Sequence, residues 1–376
     1  MAVNIKSCKK NFLAIGLMMG GVVGAGIFSL PYVFVQIGLG RGFFYLIALT
    51  ALMIITYLMY AEVLLKTPGQ HNYVSLSKLY LGNIAEIFSF LFAVITIFLV
   101  LFIYLFLAGK FIGLIWPAAP LLLTALPFWL LASISVFFNL KKLVEVEFVT
   151  SAAIGIIVFI IFIFSLPNFS AAVFLTYFSG LPGVSFWLPI GPLLFALAGR
   201  AAVSELANYS KQNLKTNIIF SFIIIAIIYL LFVIGVIFLT NGLVSEDTVS
   251  GLSGFLPYFL LVIIALMGLV AVWHVYVLLG FDLYNILTAD LKWPERLAGF
   301  SIVFIPLILY LINWQSFFLV VSLVGGVFAA LENIFIVLMW LKMKKGELSC
   351  WLAYLALAIF MVILVHELAV RLVSLV

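Results

Sequence analysis

The feature that most constrains this chain is a succession of apolar runs, each long enough to cross a bilayer. A span needs about twenty mostly apolar residues. Eleven such stretches can be marked, at 11–37, 41–66, 84–115, 119–140, 143–166, 186–210, 214–240, 255–287, 294–313, 315–341 and 347–372. Their length and the absence of period-2 alternation exclude a β-barrel and predict an all-α integral membrane protein. Only 8% of the 376 residues are charged, against about 25% in soluble domains. That excludes a soluble enzyme, a nucleic-acid-binding domain and a disordered regulator. The net charge of +5 is no nucleic-acid footprint, because the basic residues are dispersed between apolar runs.

Cytoplasmic segments of membrane proteins are enriched in Lys and Arg. With the N-terminus inside, Lys6, Lys9, Lys10, Lys66, Lys78, Lys141, Lys142, Lys211, Lys215, Lys292, Arg296, Lys342, Lys344 and Lys345 fall on the cytoplasmic side. Arg41, Lys110 and Arg371 fall outside, with the acidic pair Glu246–Asp247, and Arg200 lies within a span. The expected topology is a cytoplasmic N-terminus and an external C-terminus in the plasma membrane, with the first span kept as an anchor. Cys8 and Cys350 map to cytoplasmic ends, so no disulfide, metal site or redox pair is expected. Trp116, Trp187, Trp293 and Trp314 read as interface anchors, and most of the 38 Phe are expected to face lipid.

The spans group as five, five and one. The first five cover 11–166, the second five 186–341, and an additional helix covers 347–372. The connection 167–185 is Gly/Pro-rich, as a hinge between halves would be. An odd number of spans per half turns the second half upside down, the arrangement of inverted-repeat transporters. The leading helix of each half also carries helix breakers. The first contains Gly16, Gly20, Gly21, Gly24 and Gly26 before Pro31, and the sixth contains Pro189, Gly191, Pro192 and Gly199 around Arg200. In hydrocarbon, freed backbone groups persist only where protein, water or a ligand satisfies them. Matched interruptions therefore point to a binding site. The competing reading of Gly16-x-x-x-Gly20-x-x-x-Gly24 is a helix-packing face, but Gly24-Ala25-Gly26 and Pro31 do not continue it.

At these residues the chain resembles an amino-acid permease of the amino acid/polyamine/organocation superfamily, nearest the aromatic amino-acid permease branch. GVVGAGIFSLPY (Gly21–Tyr32) is similar to the first-helix signature, FALAGRAAVSELANY (Phe195–Tyr209) to the sixth-helix segment, and TPGQHNYVSLSKLYLG (Thr67–Gly82) to the segment after the second helix. The resemblance implies a LeuT-like 5+5 inverted repeat with broken first and sixth helices, and secondary transport of an amino acid by alternating access without a cofactor. Arg200 departs from the Phe, Glu or His that relatives carry at that place.

The substrate would bring a carboxylate and an ammonium. Uncoiled backbone around Val23, Gly24, Ala25, Gly26 and Ile27 can offer N–H groups to the carboxylate, and carbonyls around Phe195, Ala196, Leu197 and Ala198 can accept from the ammonium. Arg200 cannot shed its charge and is a functional candidate by its depth. It pairs either with a substrate carboxylate or, as a lock, with Glu205 or an acid on another helix. Glu205 is either a protonatable gate or an interfacial carboxylate. Glu332 is expected to face the protein interior. Sodium-coupled relatives use hydroxyls on the eighth helix, yet between Ser253 and Thr288 there is neither Ser nor Thr. His274 lies there instead, as a titrating group or a hydrogen-bonded core residue, and the proton is the expected coupling ion. A carrier of another amine-bearing solute, a polyamine or nucleobase, is the alternative, with a membrane-bound acyltransferase more remote.

Overall fold

Hydrocarbon forces each spanning segment to satisfy its own backbone hydrogen bonds, and the described part of the chain is helical almost throughout. The computed structural model describes residues 5–69, 71–137, 143–312, 316–344 and 350–373. Lys141, Lys142, Trp314 and Lys345 lie outside the described residues, as do the side chains of Lys6, Cys8, Lys9, Lys10, Glu145 and Asp290.

The helices of the first half are α1 (Ile5–Val22), α2 (Leu30–Ile37), α3 (Leu39–Lys66), α4 (Tyr73–Leu81), α5 (Asn83–Ile115), α6 (Leu121–Ser135) and α7 (Leu143–Ser165). Helix α8 (Ala171–Phe178) lies in the connection. The second half comprises α9 (Ile190–Ala196), α10 (Arg200–Tyr209), α11 (Leu214–Thr240), α12 (Tyr258–Asn285), α13 (Glu295–Leu311), α14 (Phe317–Leu323) and α15 (Ala330–Met343), followed by α16 (Trp351–Val373). Among the described residues seven helical stretches are long and apolar enough to span, or up to nine if two bent pairs each count once. Helices α6, with 15 residues, and α13, with 17, are shorter than the runs marked in the sequence.

Local chemistry sets these boundaries. The Asn72 side chain accepts from Ser75 N at 2.7 Å to start α4, and Ser170 caps α8 by accepting from Val173 N at 3.2 Å. Proline at the N-caps of α6, α12 and α13 (Pro120, Pro257, Pro294) opens those helices. The hinge expected over 167–185 contains α8, which bends 111° away from α7. Its run AAVFLTYF is apolar and capped, which the Gly/Pro content of its flanks obscured. The end of this connection is pinned to the α2–α3 corner, where Leu181 N donates to Gln36 O at 2.9 Å. Gly38 (φ 87°) and Gly180 (φ 74°) approach so closely that a Cβ on either would meet the other's backbone.

The buried core is almost wholly apolar, and the outward surface is too. Phenylalanine serves both: Phe28, Phe34, Phe111, Phe222 and Phe232 are buried, whereas Phe159, Phe259 and Phe300 are exposed. Trp116 and Trp293 are exposed at helix ends, but Trp187 stacks on His366 at 4.1 Å between centroids.

One joint depends on missing side chains. A π turn, Val324–Ala329, links α14 to α15 and packs on α9. A Cβ on Gly325 would run into the Gly191 carbonyl, and one on Gly191 would lie 2.7 Å from Ser322 O. Gly155 in α7, by contrast, faces open space. Gly325→Ala is expected to destabilise by about 1–3 kcal/mol through overpacking, whereas Gly155→Ala should be neutral or gain up to about 1 kcal/mol from helix propensity. Thermal unfolding in detergent, followed by tryptophan fluorescence, checks this; equal midpoints for the two variants would show that the joint tolerates a side chain.

Candidate functional site

Two interruptions meet at the centre of the molecule. The first is short. α1 ends at Val22, Val23 and Gly24 leave the helix, and a 3-10 turn over Ala25–Ser29 leads into α2 with Pro31 in its first turn. The bend is 53°. The second covers Leu197, Ala198 and Gly199, between the end of α9 at Ala196 and the start of α10 at Arg200. The uncoiled stretches are thus narrower than the sequence suggested: Ala25, Gly26 and Ile27 belong to the 3-10 turn, and Phe195 and Ala196 to the last turn of α9. Such a turn forms because i→i+3 bonding tightens a helix end without leaving its groups unpaired.

Glycine lets the two breaks touch. A Cβ on Gly26 would fall against Ala196, 2.8 Å from its Cβ, and one on Gly199 would reach Val22 Cγ2 at 2.5 Å. Three buried tyrosines satisfy or cover the exposed backbone. The Tyr229 hydroxyl of α11 donates to Ala196 O at 2.5 Å, and Gly199 N donates to the Tyr57 hydroxyl of α3 at 2.7 Å. The Tyr104 hydroxyl of α5 lies against Gly24.

Beside this junction is a cavity of about 110 Å³. Gly24, Ala25, Gly26, Phe195, Ala198, Arg200 and Glu332 line it, together with Tyr104, Thr96 and Ile97 of α5 and Val275, Leu278 and Leu279 of α12. Of the residues expected at the site, Val23 and Ile27 are buried away from the cavity, and Ala196 and Leu197 back it without lining it. The Ala196 carbonyl is already engaged by Tyr229, and Phe195 O accepts from Ala198 N at 3.2 Å.

Arg200, the first residue of α10, forms an ion pair with Glu332 of α15. Its guanidinium also lies over the Tyr73 ring, 4.7 Å from the centroid, and the Tyr73 hydroxyl donates to Glu332 O at 3.4 Å. Arg200 thus pairs with an acid of another helix, Glu332 on the tenth run. Glu205 and His274 do not line the cavity; His274 is buried in α12. Sequence reasoning missed Tyr57, Tyr104 and Tyr229 because it searched for charge. The available signal was a tyrosine in mid-span, whose hydroxyl needs a polar partner.

On the Lys110 side, the segment between α11 and α12 reaches the first break. Thr248 (φ 58°) donates its hydroxyl to Phe28 O at 2.6 Å. Asp247, buried, accepts from Ser250 N at 2.7 Å and pairs with Lys110 at 3.5 Å. Lys110 thus ties α5 to this segment. Glu86 lies in the first turn of α5, a favourable place for an acid at a helix start, and pairs with Lys78 at 2.9 Å.

Apolar spans and two helix breaks converging on one cavity are the arrangement of a multispan membrane transporter. The chain matches the tryptophan/tyrosine permease family over residues 8–374 and belongs to that family. Its fold is shared with a crystal structure of MhsT in complex with L-phenylalanine, at a TM-score of 0.74 and 18% identity, covering 94% of this chain and 97% of that one. Mhp1, a nucleobase-cation-symport-1 family transporter in a closed conformation with bromovinylhydantoin bound, superposes at 0.65 with 12% identity over 91% and 80% of the two chains. No curated protein matches the sequence significantly.

The packing at Gly24 can be tested without a ligand. Gly24→Ala would push a methyl group into the Tyr104 hydroxyl and is expected to lower the unfolding midpoint. Adding Tyr104→Phe removes the colliding oxygen and should recover part of the loss. A double variant no more stable than Gly24→Ala would show that the two residues are not in contact.

Proposed function

We propose that this protein carries an aromatic amino acid across the plasma membrane by alternating access, coupled to protons. Family membership makes it a permease; the observation that carries the finer reading is the meeting of both breaks at one cavity walled by an Arg–Glu pair. In this reading the chain spans the membrane eleven times, with 11–166 and 186–341 as inverted repeats, 347–372 as an added helix, the N-terminus inside and the C-terminus outside. The amides at Gly24, Ala25 and Gly26 take the substrate carboxylate, at the start of the helix that leads into α2. The carbonyl at Ala198, on the cavity wall, takes the ammonium. The side chain lies among Ile97, Val275, Leu279 and Phe195. A cavity of about 110 Å³ is smaller than the ~300–1,000 Å³ of ligand sites, so binding requires the walls to part. The L-phenylalanine in complex with MhsT and the tryptophan/tyrosine family both favour an aromatic side chain.

The α12 residues on the cavity wall, Val275, Leu278 and Leu279, offer no hydroxyl to a sodium ion. Glu332 is a carboxylate on the same wall, paired with a cation that cannot deprotonate. Protonating Glu332 releases Arg200, and with it the tie between α10 and α15. A half-helix freed in this way is the moving part that alternating access needs. Glu205 and His274, off the cavity, remain gating candidates between α10 and α12.

Proteoliposomes decide between the readings. Labelled tryptophan, tyrosine or phenylalanine should accumulate under an inward proton gradient and need no sodium. Uptake of a nucleobase or polyamine with no uptake of any amino acid would sink the proposal. Glu332→Gln imitates the protonated carboxyl. It should retain exchange of internal for external substrate while losing most gradient-driven accumulation; accumulation at the wild-type level would remove Glu332 from coupling.

A further inference from the structure

Helix α16 stands apart from the site, and only 22% of its span is buried within the protein. Between it and α3 runs a groove of about 340 Å³, walled by Tyr45, Ala48 and Leu49 of α3, by Trp187 and Ile190 on the approach to α9, and by Val362 and its neighbours on α16. Every one of these groups presents carbon to the groove, and the Tyr45 hydroxyl is turned away, donating to Phe186 O at 2.8 Å.

The groove has a cation at its mouth. Arg41 precedes Tyr45 by four residues and Ala48 by seven, so all three share one helix face. Arg41 is exposed and spends one donor on Ser179 O at 2.9 Å, which leaves further donors of its five-donor fork. On the opposite wall, His366 continues the face of Val362 one turn on. It stacks on Trp187, and its Nδ1 has no hydrogen-bond partner among the described residues. The other arginine at this end, Arg371, is held by Glu367 at 3.6 Å.

We propose that this groove binds one anionic phospholipid, with an acyl chain between α3 and α16 and its phosphate on Arg41. Dimensions select this occupant. The groove is lined on α3 from Phe44 to Leu49, and the helix face that carries it rises roughly 12 Å from Arg41 to Leu49 at 1.5 Å per residue, within the ~15 Å half-thickness of a hydrocarbon core. Ala358 to His366 covers the same rise on α16. A groove that lies within one leaflet, is apolar along its depth and has a cation on the same helix face toward the headgroup level matches a lipid molecule. A second copy of the chain would instead need a face running the length of both leaflets. Arg41 supplies charge complementarity to a phosphate with geometry that favours bidentate contact. The lipid fills the space that protein side chains leave between α16 and the rest of the molecule, next to the segment that leads into α9. The inference does not depend on which solute is carried.

Native mass spectrometry on the full chain in mild detergent tests it, with 1-palmitoyl-2-oleoyl phosphatidylglycerol and the phosphatidylcholine of the same chains as probes. The wild type should hold one phosphatidylglycerol about fivefold more tightly than phosphatidylcholine, the effect of one nearby basic residue. Arg41→Gln should erase that preference and Arg41→Lys restore only part of it, because an ammonium keeps the charge and loses the bidentate geometry. Ala48→Trp, or Ala358→Trp from the other wall, fills the groove and should abolish the retained lipid of either kind. Equal retention of both lipids by the wild type would overturn the proposal, as would lipid that survives both tryptophan variants. A dimer that dissociates on filling the groove would overturn it in favour of a second copy.

Discussion

Everything in this molecule turns on how backbone amides and carbonyls are satisfied where no water is at hand. An unbroken helix meets that demand alone, and most of the chain does so. At residues 23–24 and 197–199 it does not, and the freed groups would each cost several kcal/mol in hydrocarbon. Tyr57 and Tyr229 supply the missing partners from α3 and α11. Gly26 and Gly199 let the two breaks approach until little space is left around them. The outer segment adds Thr248, whose hydroxyl takes the Phe28 carbonyl. The interruptions are thus held by side chains from several distant segments. A ligand that replaces some of these partners can move the half-helices apart without leaving polar groups stranded.

The charges obey the same rule in another form. A lone guanidinium in the span would be expensive, and Arg200 is accommodated by Glu332, the Tyr73 ring and the cavity itself. This pair links the start of α10 to α15, and Tyr73 draws in α4. The broken helix is therefore fastened on one side by neutral hydrogen bonds and on the other by an ion pair. Hydrogen bonds of the first kind are insensitive to protons, whereas a carboxylate is not. Outside the site, Glu62 gathers Lys66, Lys344 and the Trp340 indole at 3.0, 3.3 and 2.9 Å. It joins the Lys-rich ends of α3 and α15.

Much of this was legible in the sequence, and the failures have physical causes. Span 214–240 coincides with α11 because a long apolar run has one solution in lipid. The breaks at Gly24 and Gly199 were visible because glycine and proline act locally. Their extent was not: Ala25–Ile27 tighten into a 3-10 turn, and Phe195 and Ala196 stay helical, since neighbours decide whether a backbone group needs to remain paired. Helix α8 was hidden by the turn residues around it. The pairing of Lys110 with Asp247 was not legible, because Asp247 lies in a segment whose approach to α5 no local pattern announces.

The sequence by itself determined that the chain is a helical membrane protein, where its apolar runs lie, and that clustered glycines and prolines interrupt its two leading helices. Those are consequences of solvent and of single residues, so composition and spacing carry them. Only the tertiary structure decided that Arg200 meets Glu332, that tyrosines of α3 and α11 hold the broken ends, and that His274 and Glu205 stand off the cavity. These are meetings between residues far apart in the chain. Where almost every surface is apolar, periodicity does not tell one packed face from another, and only packing chooses the partners.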